Sequence, residues 1–195
     1  MNVAIPILSV IPSLDGPVLA ALSGTNSPLS LAEVHARSGR GSKSGVRQVL
    51  LRMVDEGLVL GVPGGFVLNR EHVAAPAVTM LAELHGELMR RIRSAVDSWT
   101  GDVALVGLFG SAARRDGDAQ SDIDVLVVSD AADLHTLIDE LTVLIRSWTG
   151  NRAQVIGVPS AELRRLRRAK EPIVAGWEQD LIVISGDRRA LRGVA

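Results

Sequence analysis

The stretch Gly107–Val128, GLFGSAARRDGDAQSDIDVLVV, decides how the chain is read. It continues one apolar run, VALVGLF, and ends in a second, IDVLVV; both have the length and β-branched content of buried strands. Between them lie a Gly-Ser step, two arginines and a loop rich in aspartate. The second run opens with Asp122 and Asp124, although a buried strand ordinarily excludes charge.

Strand geometry gives a reason. Residues two apart project to the same face, so Asp122 and Asp124 stand side by side while Ile123 and Val125 face the core. Two parallel carboxylates repel unless a counter-charge lies between them. A divalent cation supplies it, and magnesium binds well through one or two carboxylates plus substrate phosphates. Gly110-Ser111 sits where a strand gives way to a short helix, so its backbone N–H groups lack helical partners and form an anion site. Gly110 permits close approach of a phosphate, and the Ser111 hydroxyl adds a hydrogen bond. Phosphate cradle and paired carboxylates together are the apparatus of phosphoryl or nucleotidyl transfer.

Other readings of these residues fail. A calcium loop starting at Asp116 needs Gly sixth and Glu twelfth, where the chain has Ser121 and Val127. No GxxxxGK[ST] phosphate loop is present.

The motif GSAARRDGDAQSDIDVLVV resembles the nucleotidyltransferase superfamily typified by DNA polymerase beta, and within it the small "minimal" nucleotidyltransferases. The resemblance runs from about Ala77 onward. It implies an α/β fold with a mixed sheet and Mg²⁺ or Mn²⁺ as cofactor. Carried over by position, Gly110 and Ser111 hold the phosphates of an NTP, Arg114 supports them, and Asp122 and Asp124 bind the metals. Arg115 stands where relatives often carry glycine. Family members use a third carboxylate on the next strand, and here that position is Gln154. Its amide carbonyl can touch a metal but cannot act as a base. One missing charge about 4 Å from a cation is worth up to roughly 4 kcal/mol at a partly solvated dielectric.

Outside the motif, strands and helices alternate: ADLHTLIDELTVLIRSW as a helix, AQVIGV as a strand, SAELRRLRRAK as a helix and LIVIS as a last strand. In the basic run, Leu163 and Leu166 face inward and Arg164, Arg165, Arg167, Arg168 and Lys170 face solvent. That face is either merely solvated or a landing strip for a polyanion. Upstream, Leu81, Leu84, Leu88, Ile92 and Val96 predict one amphipathic helix over about 78–99, and His85 beside that stripe reads as a packing residue.

The first 70 residues follow a different order. Three helical segments precede two short runs around Pro63-Gly64-Gly65, a hairpin signal. Ser30 with Glu33 fits a capping box. The third segment carries Val46, Val49, Leu50, Met53 and Val54 on one apolar face. This order resembles the winged helix-turn-helix family, which implies double-stranded DNA as partner, read by the third helix with the hairpin as wing. Arg40, Lys43, Arg47 and Arg52 cluster at that helix as phosphate or base contacts would. The expected organisation is therefore a winged helix over 1–70, a linker over 71–77 and a nucleotidyltransferase domain over 78–195.

Composition frames this. The chain has 195 residues, 47% hydrophobic and 22% charged, enough for a sizeable core. It has no cysteine, which excludes disulfides, thiolate metal sites and a cysteine nucleophile. The net charge of -1 gives no whole-chain signal for nucleic acid or membrane. The apolar start lacks a basic segment and is cut by Pro6 and Pro12, and no run approaches the roughly 20 residues of a membrane span; a cytoplasmic protein is expected. The sequence permits a homodimer without requiring one. Two functions follow. One is metal-dependent transfer of a nucleoside monophosphate from an NTP to a hydroxyl of unidentified protein, nucleic acid or small molecule. The other is a DNA-binding regulator whose transferase domain senses nucleotide or binds a partner without turnover.

Overall fold

The computed structural model describes residues 1–192. It contains two compact units, Ile5–His85 and a second formed by Met1–Ala4 with the chain from Gly86 onward.

In the first unit a 3-10 turn, Pro6–Ser9, precedes helices α1 (Asp15–Ser23), α2 (Leu31–Ser38) and α3 (Lys43–Asp55). The capping box at the start of α2 is complete: the Ser30 hydroxyl accepts from the Glu33 N–H, and the Ser30 N–H donates to the Glu33 carboxylate at 2.8 Å. Ser42 caps α3 by accepting from the Gly45 N–H at 3.1 Å. Strands β1 (Val59–Val62) and β2 (Gly65–Leu68) pair antiparallel with Val62 opposite Gly65. The Pro63-Gly64 turn between them is followed by Gly65, with φ of +96° and +140° at the two glycines, a conformation L side chains avoid. The hairpin, α1, α3 and α4 (Ala75–Ala82) enclose a core that includes Val18, Leu22, Val46, Leu50, Met53 and Val78.

Two expectations about the connecting region change. Residues 75–77, expected as linker, form the first turn of α4, because Pro76 sits where proline favours a helix start. The single helix expected over 78–99 is two, α4 and α5 (Leu84–Ser98), interrupted at Glu83, whose φ of -97° and ψ of 13° leave the helical region.

The second unit is a four-stranded mixed sheet, order β5-β4-β3-β6, with β3 Leu105–Phe109, β4 Ile123–Val128, β5 Ala153–Val158 and β6 Ile182–Gly186. β3 is antiparallel to β4 and to β6; β4 and β5 are parallel, joined by α7 (Leu134–Thr149). Alternation divides β4 cleanly. Ile123, Val125 and Val127 pack with Leu88, Ile92 and Val96 of α5 and Leu137, Leu141 and Ile145 of α7. Leu126 and Val128, pointing the other way, pack with Leu163 of α8 (Ser160–Arg168), Val174 and Trp177 of α9 (Pro172–Asp180), and Leu191.

Helix α9 is absent from the reading of the sequence, which passes from the helix SAELRRLRRAK directly to the last strand. Pro172 occupies its first position, where its fixed φ and missing N–H cost nothing.

Candidate active site

β3 ends at Phe109, and the chain turns at once into the five-residue helix α6, Gly110–Arg114. The turn is made by Gly110 at φ +68°. A Cβ there would lie 2.5 Å from Oδ2 of Asp124. The left-handed backbone favours glycine, and a Cβ at this position would displace the Asp124 carboxylate. That approach follows from register, since Phe109 pairs with Asp124 across β3 and β4. The phosphate-turn candidate and the acidic candidate are thus brought together by sheet pairing.

Asp124 also pairs in register with Gln154 on parallel β5, so their side chains leave the same face of the sheet. Gln154 is exposed. Asp122 immediately precedes β4, and its carboxylate lies 3.6 Å from the Arg152 guanidinium. The Asp124 carboxyl is held above the usual aspartate range, first by burial and then by the charge of Asp122, with Arg114 opposing. The charge of Asp122 thus acts on Asp124, and a cation between them would relieve it.

Arg114 is not a free cation. Its Nε donates to Asp116 at 2.8 Å, and its Nη1 is paired with Asp180 at the end of α9. Hydrogen bonds to Asp116 and then Asp180 push its pKa further up. Arg115 adopts φ +58° and ends α6 in the left-handed conformation glycine ordinarily supplies. Ser111 is half-buried, and its carbonyl accepts from the Asp116 N–H at 3.2 Å.

The aspartate loop is tied down by a residue that sequence reasoning passed over. Asn151 is buried, and its side-chain amide donates to the carbonyls of Ser121 at 2.8 Å and Ala119 at 3.3 Å. Arg152 was missed too, although strand register predicts it: Ile123 faces Ala153, so the preceding residues face each other. Asp180 carries no local signal and reaches Arg114 only through the tertiary fold.

A divalent cation fits these residues in one form. Among the described residues, no group of three or more His, Cys, Asp or Glu side chains is placed to hold a metal. Two mutually repelling carboxylates on one face do suit a cation whose remaining ligands are phosphate oxygens and water.

In the first unit, Arg40, Lys43 and Arg47 are all exposed, Lys43 being the first residue of α3. Arg52 is separated from them by its partners: its guanidinium is engaged by Asp15 of α1 and by Glu56, the latter at 2.8 Å. No helix among the described residues is long and apolar enough to cross a membrane.

Residues 89–186 match the family model described as Nucleotidyltransferase domain, half of the chain. No curated protein matches. Solved structures to which the chain is similar include a toxin–antitoxin complex with AMP-PNP, 17% identical, covering 53% of this chain and 77% of that one, with a TM-score of 0.41. The MntA–HepT toxin–antitoxin structure is 16% identical over 55% of this chain and 77% of its own, TM-score 0.38. A tri-AMPylated Shewanella oneidensis HEPN toxin in complex with MNT antitoxin is 16% identical over 56% and 82%, TM-score 0.38.

Proposed function

The chain belongs to the nucleotidyltransferase domain family, and on that premise we propose that it transfers a nucleoside monophosphate from an NTP to a hydroxyl group. An acceptor oxygen forms a new bond to the α-phosphorus, the bond to the β-phosphate oxygen breaks, pyrophosphate leaves, and the hydroxyl proton passes to solvent. The observation that carries this reading is the approach of the Gly110 turn to Asp124, whose carboxylate lies where a side chain at Gly110 would begin.

In this reading Gly110 and Ser111 receive the triphosphate, and Asp122 and Asp124 hold Mg²⁺ or Mn²⁺. The cation would neutralise charge on the phosphates. Arg114, braced by Asp116 and Asp180, fixes α6 and contributes positive potential toward Asp124. Arg152 offsets the charge of Asp122 until a cation arrives.

The helix-helix-helix-hairpin order of the first unit supports a winged helix that binds duplex DNA, with Arg40, Lys43 and Arg47 on phosphates. Arg52, already held by two carboxylates, contributes to helix packing instead. Replacing Lys43 and Arg47 by Ala should lower the slope of log K against log salt for duplex DNA by about one unit each.

A second reading has its own observation. Gln154 occupies the register position beside Asp124, at the point where the family resemblance implies an acid, and this favours a nucleotide-sensing regulator without turnover. The deciding experiment is transfer of label from α-labelled NTPs, with Mg²⁺ or Mn²⁺, to protein and nucleic-acid acceptors. The site assignment is tested by Asp122→Ala with Asp124→Ala: metal-dependent NTP binding should disappear while the fold is kept. Unchanged metal-dependent affinity would overturn it.

A further inference from the structure

Helix α8 carries a charge distribution that the transfer reaction does not use. Its inward side is Leu163, buried, and Leu166, half-buried against the same cluster. At about 100° per residue, Arg164, Arg168 and Arg165 fall within an arc of about 100° on the opposite side. All three are exposed, as is Lys170 just beyond the helix. Arg165 pairs with Glu162 at 2.6 Å. Among the described residues neither Arg164 nor Arg168 has a carboxylate within ion-pair distance, and Arg164 meets Asp130 only at longer range.

The positive surface continues into a cleft of about 490 Å³ lined by Arg167, Arg188, Arg192, Leu191 and Glu178. Its arginines are held largely by main-chain carbonyls: Arg167 donates to Arg192 O at 2.6 Å, and Arg188 to Glu178 O at 2.6 Å and Leu181 O at 3.2 Å. Carbonyls orient a guanidinium without cancelling its charge. Glu178, 3.5 Å from Arg167, is the one carboxylate among the described residues of the lining.

A favourable helix dipole accounts for cations in the last turn. It does not account for Arg164 in mid-helix, nor for Arg164 and Arg168 stacked four apart, where like charges repel. Like charges at that spacing cost the helix a little stability, and a bound anion would relieve the repulsion.

We infer that the outer face of α8, with the adjoining arginine cleft, is a docking surface for the phosphate backbone of a nucleic acid. Planar guanidinium forks match phosphate oxygens in pairs. The α8 face carries no exposed aromatic or large aliphatic side chain to insert into a lipid surface or anchor a protein partner. Without an aromatic platform for base stacking, recognition is of the backbone and insensitive to sequence.

The test uses the full chain and a fluorescent 20-nucleotide single-stranded RNA, with the same sequence as DNA, followed by anisotropy across a salt series. It is run in a Lys43→Ala, Arg47→Ala background so that the first unit contributes little. Replacing Arg164, Arg165 and Arg168 by Ala should weaken binding and reduce the salt slope by about two units, at about 0.7 per contact. The triple Arg→Lys variant should restore most of the slope, which separates charge from helix structure. An unchanged slope in the Ala variant would overturn the inference, and so would polyglutamate competing as well as RNA, which would reassign the face to acidic proteins. Asp122→Ala with Asp124→Ala should leave RNA binding intact, so failure of the transfer reading and failure of this surface are read separately.

Discussion

At Gly110 the backbone sits at φ +68° with the Asp124 carboxylate lying where a side chain would begin. Gly110→Ala should therefore lose about 1–3 kcal/mol of stability, read as a lower urea midpoint at unchanged slope, and should abolish NTP binding in the same preparation. Asp124 gives a pH prediction. Its folded pKa is raised by burial and by Asp122, so the folded state binds its proton more tightly than the unfolded state does. That contribution is fully present below the unfolded aspartate range and is lost as pH rises through the folded value. Asp124→Asn, which cannot ionise, should raise the thermal midpoint at neutral pH in the presence of a chelator and leave it unchanged in strong acid. Adding Mn²⁺ with NTP should raise the midpoint of the native chain and not that of the variant. Gln154 shares a face with Asp124, and Gln154→Asp supplies the carboxylate missing there. In an impaired transferase this should increase labelling by about 10²–10⁴-fold, the usual worth of a positioned general base. No labelling of any acceptor by the variant would favour the regulator.

At the scale of elements, the caps and hairpin of the first unit and the strands of the second were legible because their signals are local. Ser30 and Glu33 bond only to each other's neighbourhood, and Ser30→Ala should cost about 1 kcal/mol in chemical denaturation. β3 and β4 were legible as apolar runs bounded by a turn. The break at Glu83 and the existence of α9 were not. The apolar stripe runs on through 78–96 without marking the break, and Pro172 is ambiguous between breaker and first helical residue. That ambiguity matters for the site, because α9 carries Asp180, the partner that braces Arg114.

For the whole molecule, two compact units with their own buried cores imply that damage can be assigned. Leu50 and Leu141 are each fully buried, in different units. Leu50→Ala and Leu141→Ala should each destabilise by about 2–5 kcal/mol. In native-state hydrogen exchange, the loss of protection should fall mainly among core amides of the unit that holds the altered leucine.

The sequence by itself determined the identity of the acidic pair, the glycine turn, the mixed α/β character and the change of pattern between the halves. Each rests on spacing within a few residues, where side-chain direction follows from strand or helix period alone. Only the tertiary structure decided what those residues touch. Sheet register put Gly110 against Asp124 and Gln154 beside it, and the packing of α9 turned Arg114 from a free cation into a clamped one. Contacts of that kind join residues tens of positions apart, and they are fixed by how buried faces pair rather than by local preference.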